Sequence, residues 1–497
     1  MTDLLLVNPL FLQEDPVEQR LMTPYFPLGL LYLAATAREA AYKVSIFDGM
    51  FAGGDEEFAA MLRREQPRVV GISILATVRA AALRLAELAH RQGAIVVVGG
   101  ADPTGRPESY LEYRVDGSSP TDEVCPVDLV VVGEGEQTLL EVLPVLLNGG
   151  VDPAALAGVQ GLVYRDGDGQ VISTPARAHC TDLDGLPLPA RDLIDLEAYR
   201  QGWRGQHGFF SMSLIATRGC PYGCKWCQKS VFGRSFRPRA PELVAEEMRI
   251  IKEQYHPDQL RIVDDVMGID RKWVRTWHDA VLARDAATSF ECLSRVDLMD
   301  EEMVRLLSEA GCVRIAFGAE SGSQRVLDAM GKGTTVEQIL EAAELCRRHG
   351  IELYFYIMLG YPGEEWDDIR KTVNLLRETR PDFFSSTIAY PLPGTQFFAE
   401  VQHRLLDAPD WDYTAENRLL FQREYSTRFY RWVQRWLYKE WQVARHRHGD
   451  DQVSLLGRLR ALAGLWTARI AVEFSRHVTI RDPATDPRPQ AKPEGGR

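Results

Sequence analysis

At 497 residues the chain is long enough for about three domains. Its 45% hydrophobic and 26% charged residues are those of a globular protein, and a formal net charge of -13 argues against a nucleic-acid partner. No stretch is apolar for long enough to suggest a transmembrane segment.

The opening "MTDLLLVNPLFLQEDP" lacks a basic n-region and a small-residue cleavage site, so its apolar run reads as a buried strand in a cytoplasmic protein. In that reducing setting eight cysteines point to metal binding or catalysis rather than to disulfides. Residues 1–150 alternate β-branched runs, "LLLV", "VSIF", "VVGIS", "IVVVGG" and "DLVVVGEG", with amphipathic stretches such as "VRAAALRLAELAHRQG". The alternation predicts an α/β doubly wound parallel sheet that takes ligands at the carboxyl ends of its strands.

Residues 151–205 are turn-rich ("YRDGDGQ", "LDGLPLPARD") and read as a hairpin and linker. Residues 206–400 carry six further runs, "SMSLIAT", "QLRIVDD", "FECLSR", "VRIAFGAES", "ELYFYIMLGYPG" and "FFSSTIAYPLPG", each followed by a helical pattern. They predict a partial or complete βα barrel with its chemistry at the strands' C-terminal ends.

Residues 401–478 turn helical and aromatic. Tyr425, Phe429, Trp432 and Trp436 share one helical face, which predicts packing on the barrel, with closure of a substrate cavity as the sharper alternative. The stretch 455–474 is amphipathic and basic, suited to bundle packing or to peripheral membrane contact. Residues 479–497 read as a disordered tail.

The densest chemical signal is "ATRGCPYGCKWCQKS", which follows the first strand of the second series and sets Cys220, Cys224 and Cys227 in one loop. Thiolates select zinc or iron-sulfur clusters. A structural zinc site closes four ligands, usually as two pairs, and Cys292 and His207 are candidates for a fourth here. A 4Fe-4S cluster held through three irons instead leaves one iron open to chelate a cosubstrate.

The CxxxCxxC spacing, with Trp226 just before the third cysteine, resembles the signature of the radical S-adenosylmethionine (SAM) superfamily. That resemblance implies a cluster whose open iron binds the amino and carboxylate groups of SAM, and a reductant such as flavodoxin or ferredoxin as partner. It also implies SAM contacts from Trp226, Asp264, Asp265, Arg295, Glu320, Ser321 and Gly360, which stand at or near strand ends. A carboxylate facing the SAM ammonium makes a charge-assisted hydrogen bond. On the residues alone, a helix N-cap is the lesser alternative for either aspartate, and a surface ion pair is an equal one for Arg295.

In the first domain no GxGxxG follows the first strand. Ser73 and Leu75 in "SIL", followed 26 positions after Ser73 by Gly99 and then Gly100, resemble the cobalamin-binding fold, where the serine and glycines line the path of the nucleotide tail. An ordinary flavodoxin-like domain without cobalamin is the plainer alternative. In "PYFPLG" Gly29 is kept, while Phe26 stands where that fold can carry a cobalt-binding histidine. Loss of a strong lower donor favours low-coordinate cobalt.

"VGEGEQTL", which includes Gly133 and Glu134, and "YPLPGTQFF" extend the resemblance to the cobalamin-dependent radical SAM branch over residues 1–400. It implies a methyltransferase in which one SAM methylates cobalamin and a second yields a 5′-deoxyadenosyl radical. The substrate radical then takes the methyl group. The substrate would be a small natural-product or lipid-like molecule with an unactivated carbon or phosphorus centre, held between the two domains. Oxidative cyclisation or ring rearrangement with the same cofactors, and a cobalamin-binding sensor or docking protein, are the alternatives.

Overall fold

The computed structural model describes residues 2–116, 123–405, 421–450 and 454–476. The tail expected over 479–497 lies outside the described residues.

Five apolar runs of the amino-terminal region form the parallel strands Leu4–Asn8, Val44–Asp48, Val69–Ser73, Ile95–Gly99 and Leu129–Val131. Their spatial order is second, first, third, fourth, fifth. Alternate residues face opposite cores: Leu4, Leu6 and Val97 pack with Leu31 and Val142, while Leu5, Val7 and Val98 pack with Leu85 and Ala89. Helices therefore cover both faces, as continuous β-branched runs require. The order reverses between the first and third strands, which opens a crevice at their carboxyl ends.

The predicted hairpin, Leu162–Arg165 and Val171–Ser173, extends this sheet antiparallel to its last parallel strand. The stretch read as a linker holds, in addition, the helix Leu196–His207. Asp195 caps it by accepting from the Glu197 and Ala198 N–H groups at 3.0 and 3.1 Å, and Tyr199 and Trp203 are buried beneath it. Gly202 and Gly205 mask this helix in the sequence, because glycine is a poor helix former.

The second series forms six strands, Ser211–Leu214, Gln259–Ile262, Phe290–Ser294, Cys312–Glu320, Glu352–Leu359 and Phe383–Ile388. All are parallel and lie side by side in chain order. Among the described residues the first strand does not pair with the last, so the βα barrel is partial. Leu260, Phe290 and Leu353 face the helices, with Trp277 edge-on to Phe290 at 5.7 Å. The opposite face is polar: Arg261 pairs with Glu291, Glu291 with Arg314 at 3.1 Å, and Arg314 with Glu352 at 2.6 Å.

The helices Thr427–His448 and Leu455–Arg476 form an antiparallel pair beside the barrel. The aromatic stripe packs as expected. Trp366, the first residue of the helix after the fifth barrel strand, stacks on Trp436 at 5.5 Å and contacts Phe429 at 6.3 Å.

Candidate functional site

After the first barrel strand the chain makes a short antiparallel pair, Thr217–Arg218 with Arg237–Pro238, which closes the base of the cysteine loop. Gly219 holds the turn at φ +84°, and a Cβ there would stand 2.1 Å from the Ser235 carbonyl oxygen, so only glycine fits. Asp264 is fully engaged beneath this turn. Its Oδ1 accepts from the Ala216 and Thr217 N–H groups at 2.7 and 3.0 Å, and its Oδ2 from the Thr217 hydroxyl at 2.9 Å. Burial raises its carboxyl to about 7 despite those donors. Asp265, the next residue, is exposed and accepts from the Gly219 N–H at 3.1 Å.

The loop then crosses the mouth of the barrel. The Lys225 N–H donates to the Met330 carbonyl at 3.1 Å, and its own carbonyl accepts from Phe397 at 3.0 Å. Arg295, at the end of the third strand, lies over the Tyr222 ring at 3.6 Å, pairs with Asp297 at 2.9 Å and reaches within 3.9 Å of Cys224 Sγ. Glu320 ends the fourth strand at a bulge with φ +59°, a conformation that non-glycine residues rarely adopt and that gathers at functional sites. Its carboxylate meets Lys332 at 3.4 Å, and Lys332 faces the Trp226 ring at 5.3 Å. Gly318 makes room for that pair, since a Cβ would lie 2.5 Å from both charged groups.

Two predicted residues sit elsewhere on the rim. Ser321 is fully buried behind the fourth strand, within 3.1 Å of the Thr372 hydroxyl. Gly360 follows the fifth strand at φ +75°, donates to Glu364 at 2.6 Å and lies against Tyr430.

Cys220 is buried, Cys224 half-buried and Cys227 exposed. Among the described residues no three Cys, His, Asp or Glu side chains converge on a point that one ion could occupy. A cluster that gives each thiolate its own iron asks for wider spacing than one ion does. Of the two candidates for a fourth zinc ligand, Cys292 is buried in the third strand beside Cys312, and His207 Nε2 lies 3.0 Å from the Leu21 carbonyl oxygen. The donor set thus fits a three-thiolate cluster, with Arg295, Glu320 and Asp265 as charged groups around it.

The carboxyl edge of the amino-terminal sheet faces this loop. Ser73 ends its third strand and Leu75 lies just beyond it, 53% exposed. Gly100 turns at φ +105°, where a Cβ would collide with the Ile74 backbone at 2.8 Å. Gly99 packs near Val131, and Gly133, at φ +86°, has open space where a side chain would be. A glycine-lined crevice with an exposed leucine fits a bulky planar ligand with an apolar body. Gly29 is likewise open, but Phe26 is buried and stacked on Tyr199 at 4.4 Å.

Glu134 joins the two regions. It accepts from Arg218 at 3.0 Å, from Arg237 at 2.8 Å and from the Cys180 N–H at 2.7 Å, and Arg218 also pairs with Glu136 at 2.6 Å. These guanidinium groups hold its carboxyl below the ordinary range in spite of burial. Arg218 stands two residues before Cys220, so the tie ends at the cysteine loop. Ser230 and Gln228, just past Cys227, donate to the Ala101 carbonyl at 3.0 and 3.3 Å. Arg218, Tyr222 and Gln228 lie inside the cysteine stretch, where only the thiols and Trp226 stand out in the sequence, and Lys332 lies in a loop that no motif marks.

Comparison with known proteins agrees with this geometry. Residues 214–376 match the Radical SAM superfamily, and residues 20–143 match the B12 binding domain. The chain is 29% identical over 422 residues to the uncharacterized methyltransferase PH0819 of Pyrococcus horikoshii, covering 83% of this chain and 84% of that protein. It is 26% identical to an anaerobic magnesium-protoporphyrin IX monomethyl ester cyclase of Rubrivivax gelatinosus, over 76% of this chain and 66% of the cyclase. The fold is shared with the radical SAM methyltransferase TsrM of Kitasatospora setae, solved with cobalamin and a [4Fe-4S] cluster, at a TM-score of 0.65 and 21% identity over 82% of this chain and 80% of TsrM. The chain therefore carries a B12-binding domain followed by a radical SAM domain.

Proposed function

We propose that the protein is a cobalamin-dependent radical SAM methyltransferase acting on an unactivated carbon or phosphorus centre of a small natural-product or lipid-like substrate. The observation that carries this reading is the facing of two carboxyl edges, one glycine-lined and one holding three thiols, across the Glu134–Arg218 tie. Substrate held between them would lie within reach of both reactive centres, which is what group transfer by proximity needs.

In this reading Cys220, Cys224 and Cys227 hold the cluster. Bound there, the cluster would cleave SAM reductively, and cobalamin would carry the methyl group. Asp265 and Glu320 would receive the SAM ammonium and Arg295 its carboxylate, with Trp226 bordering the site beside Lys332; Gly360, expected to contact SAM, is instead buried against Tyr430 and Arg423 and supports the rim. Asp264 and Ser321 act as positioning residues, because their polar atoms are engaged within the protein. Ser73, Leu75, Gly99, Gly100, Gly133 and Gly29 line the cobalamin crevice. Glu134 positions the cysteine loop, and Phe26 packs the crevice wall through Tyr199.

A reducing cytoplasm with a flavodoxin or ferredoxin as electron donor suits the eight free cysteines. No described helix is long and apolar enough to cross a membrane.

The test is anaerobic reconstitution with iron, sulfide and hydroxocobalamin, followed by SAM and a strong reductant. Formation of both 5′-deoxyadenosine and S-adenosylhomocysteine supports methyl transfer. Deoxyadenosine alone would move the assignment to a cyclase-type reaction, a reading that the identity to the Rubrivivax cyclase keeps in play. Neither product would leave a cobalamin-binding sensor.

A further inference from the structure

The helix Leu455–Arg476 buries one face and leaves an apolar one in solvent. Ala461, Leu465, Ala468 and Val472 are buried. Leu455, Leu459, Trp466, Ile470 and Phe474 are instead 74%, 54%, 63%, 57% and 77% exposed. At about 100° per residue these five fall within one stripe along the whole helix, with Arg458 and Arg460 on opposite flanks. A stripe of this size, interrupted only by Glu473, which pairs with Arg476, is not ordinary surface scatter, and it marks a contact site.

Charge indicates what the stripe contacts. The helices Thr427–His448 and Leu455–Arg476 together carry ten Lys or Arg residues against two Glu, in a chain whose net charge is -13. Some of the arginines are paired within the protein, Arg469 with Glu440 and Arg476 with Glu473 at 3.6 Å. Arg431 and Arg435 are exposed and, with Lys439, line a shallow groove on the neighbouring helix. Lys439 packs where the two helices meet, its Cε 3.0 Å from the place of a Cβ on Gly464. A second copy of the chain meeting this face across a two-fold axis would set the same basic surface against itself, which is unfavourable. An anionic bilayer surface satisfies both parts: the acyl boundary takes Trp466 and Phe474, and the headgroups take the flanking cations.

We propose that this face docks the protein on the surface of an anionic lipid bilayer, without crossing it. The Phe474 end of the helix lies by the barrel, since Arg476 covers Trp366 at 4.9 Å. Docking therefore brings that side of the barrel toward the lipid. The inference stands whether or not methyl transfer is the reaction.

The experiment is co-sedimentation of the full-length chain with phosphatidylcholine vesicles, with and without phosphatidylglycerol. The anionic vesicles should capture at least about tenfold more protein, and salt should release it. Combined Trp466→Ser and Phe474→Ser substitutions, at positions already exposed, should lower capture at least about tenfold with helix content unchanged. Combined Arg458→Ser and Arg460→Ser substitutions should lower it for anionic vesicles only. Equal partition onto both vesicles, no capture, or capture that survives the Trp466 and Phe474 changes overturns the proposal. So does a dimer in sedimentation velocity that the same changes dissolve while vesicles bind nothing.

Discussion

The two parallel sheets each put their loops at carboxyl ends, but they make a site in different ways. In the amino-terminal sheet the strand order reverses, so a crevice opens where neighbouring loops part, and glycines keep it clear. In the barrel the strands run in chain order, so no such split exists, and the mouth is filled by charged side chains from successive strand ends. The first site is defined by side chains that are missing, the second by side chains that converge. Glu134 belongs to the first sheet but serves the second, through Arg218.

The largest break in this comparison should come from the thiols. Changing Cys224 to Ala is expected to lower SAM cleavage at least about a thousandfold, to background, while cobalamin retention on the chain is unchanged. Loss of both together would mean that the two sites are not separable.

Next comes the tie between the regions. Arg218→Met leaves Glu134 and Glu136 buried with one cation fewer, which should cost about 3–5 kcal/mol in urea unfolding. A double change of Arg218 to Met and Glu134 to Gln should recover part of that loss, because the two side chains are directly coupled.

At the barrel mouth, Glu320→Gln is expected to weaken SAM binding by about ten- to a hundredfold in isothermal titration, the range of a lost charge-assisted hydrogen bond. Gly100→Ala tests the opposite logic, a site harmed by adding atoms. It should reduce cobalamin retention without changing cluster iron content, because its Cβ meets the Ile74 backbone.

A further prediction concerns pH. Burial raises the Glu364 carboxyl from its ordinary 4.5 to about 8. Between those values the unfolded chain has released this proton while the folded chain keeps it, so this group makes stability fall as pH rises. Glu364→Gln should flatten that fall, with the variant gaining in Tm over the parent from about pH 5 to about pH 8. A parallel pair of Tm curves would show that the carboxyl ionises normally.

Much of the fold was legible because the strands are continuous β-branched runs and the cysteines sit at a strand end. The partners of those residues were less so. Asp264 and Asp265 are adjacent and chemically identical in sequence, yet one points under the turn and the other reaches solvent. Glu134 reads as a cobalamin contact because it lies in the "VGEGEQTL" stretch, and only the fold brings Arg218 and Arg237 to it from 84 and 103 positions away. Lys332 comes from a loop with no motif and becomes visible only opposite Glu320. The exposed stripe on the last helix shows in the sequence as amphipathicity, but which face is covered depends on the helix beside it.

The central claim is that the glycine-rich carboxyl edge of the amino-terminal sheet and the cysteine loop face each other closely enough to act on one substrate. The most direct measurement is pulsed electron paramagnetic resonance on the reconstituted chain, with cobalt and cluster both brought to paramagnetic states. The account predicts strong dipolar coupling between the two centres within one chain, lost in the Cys224→Ala variant. Full loading of both cofactors with magnetically isolated signals would contradict it.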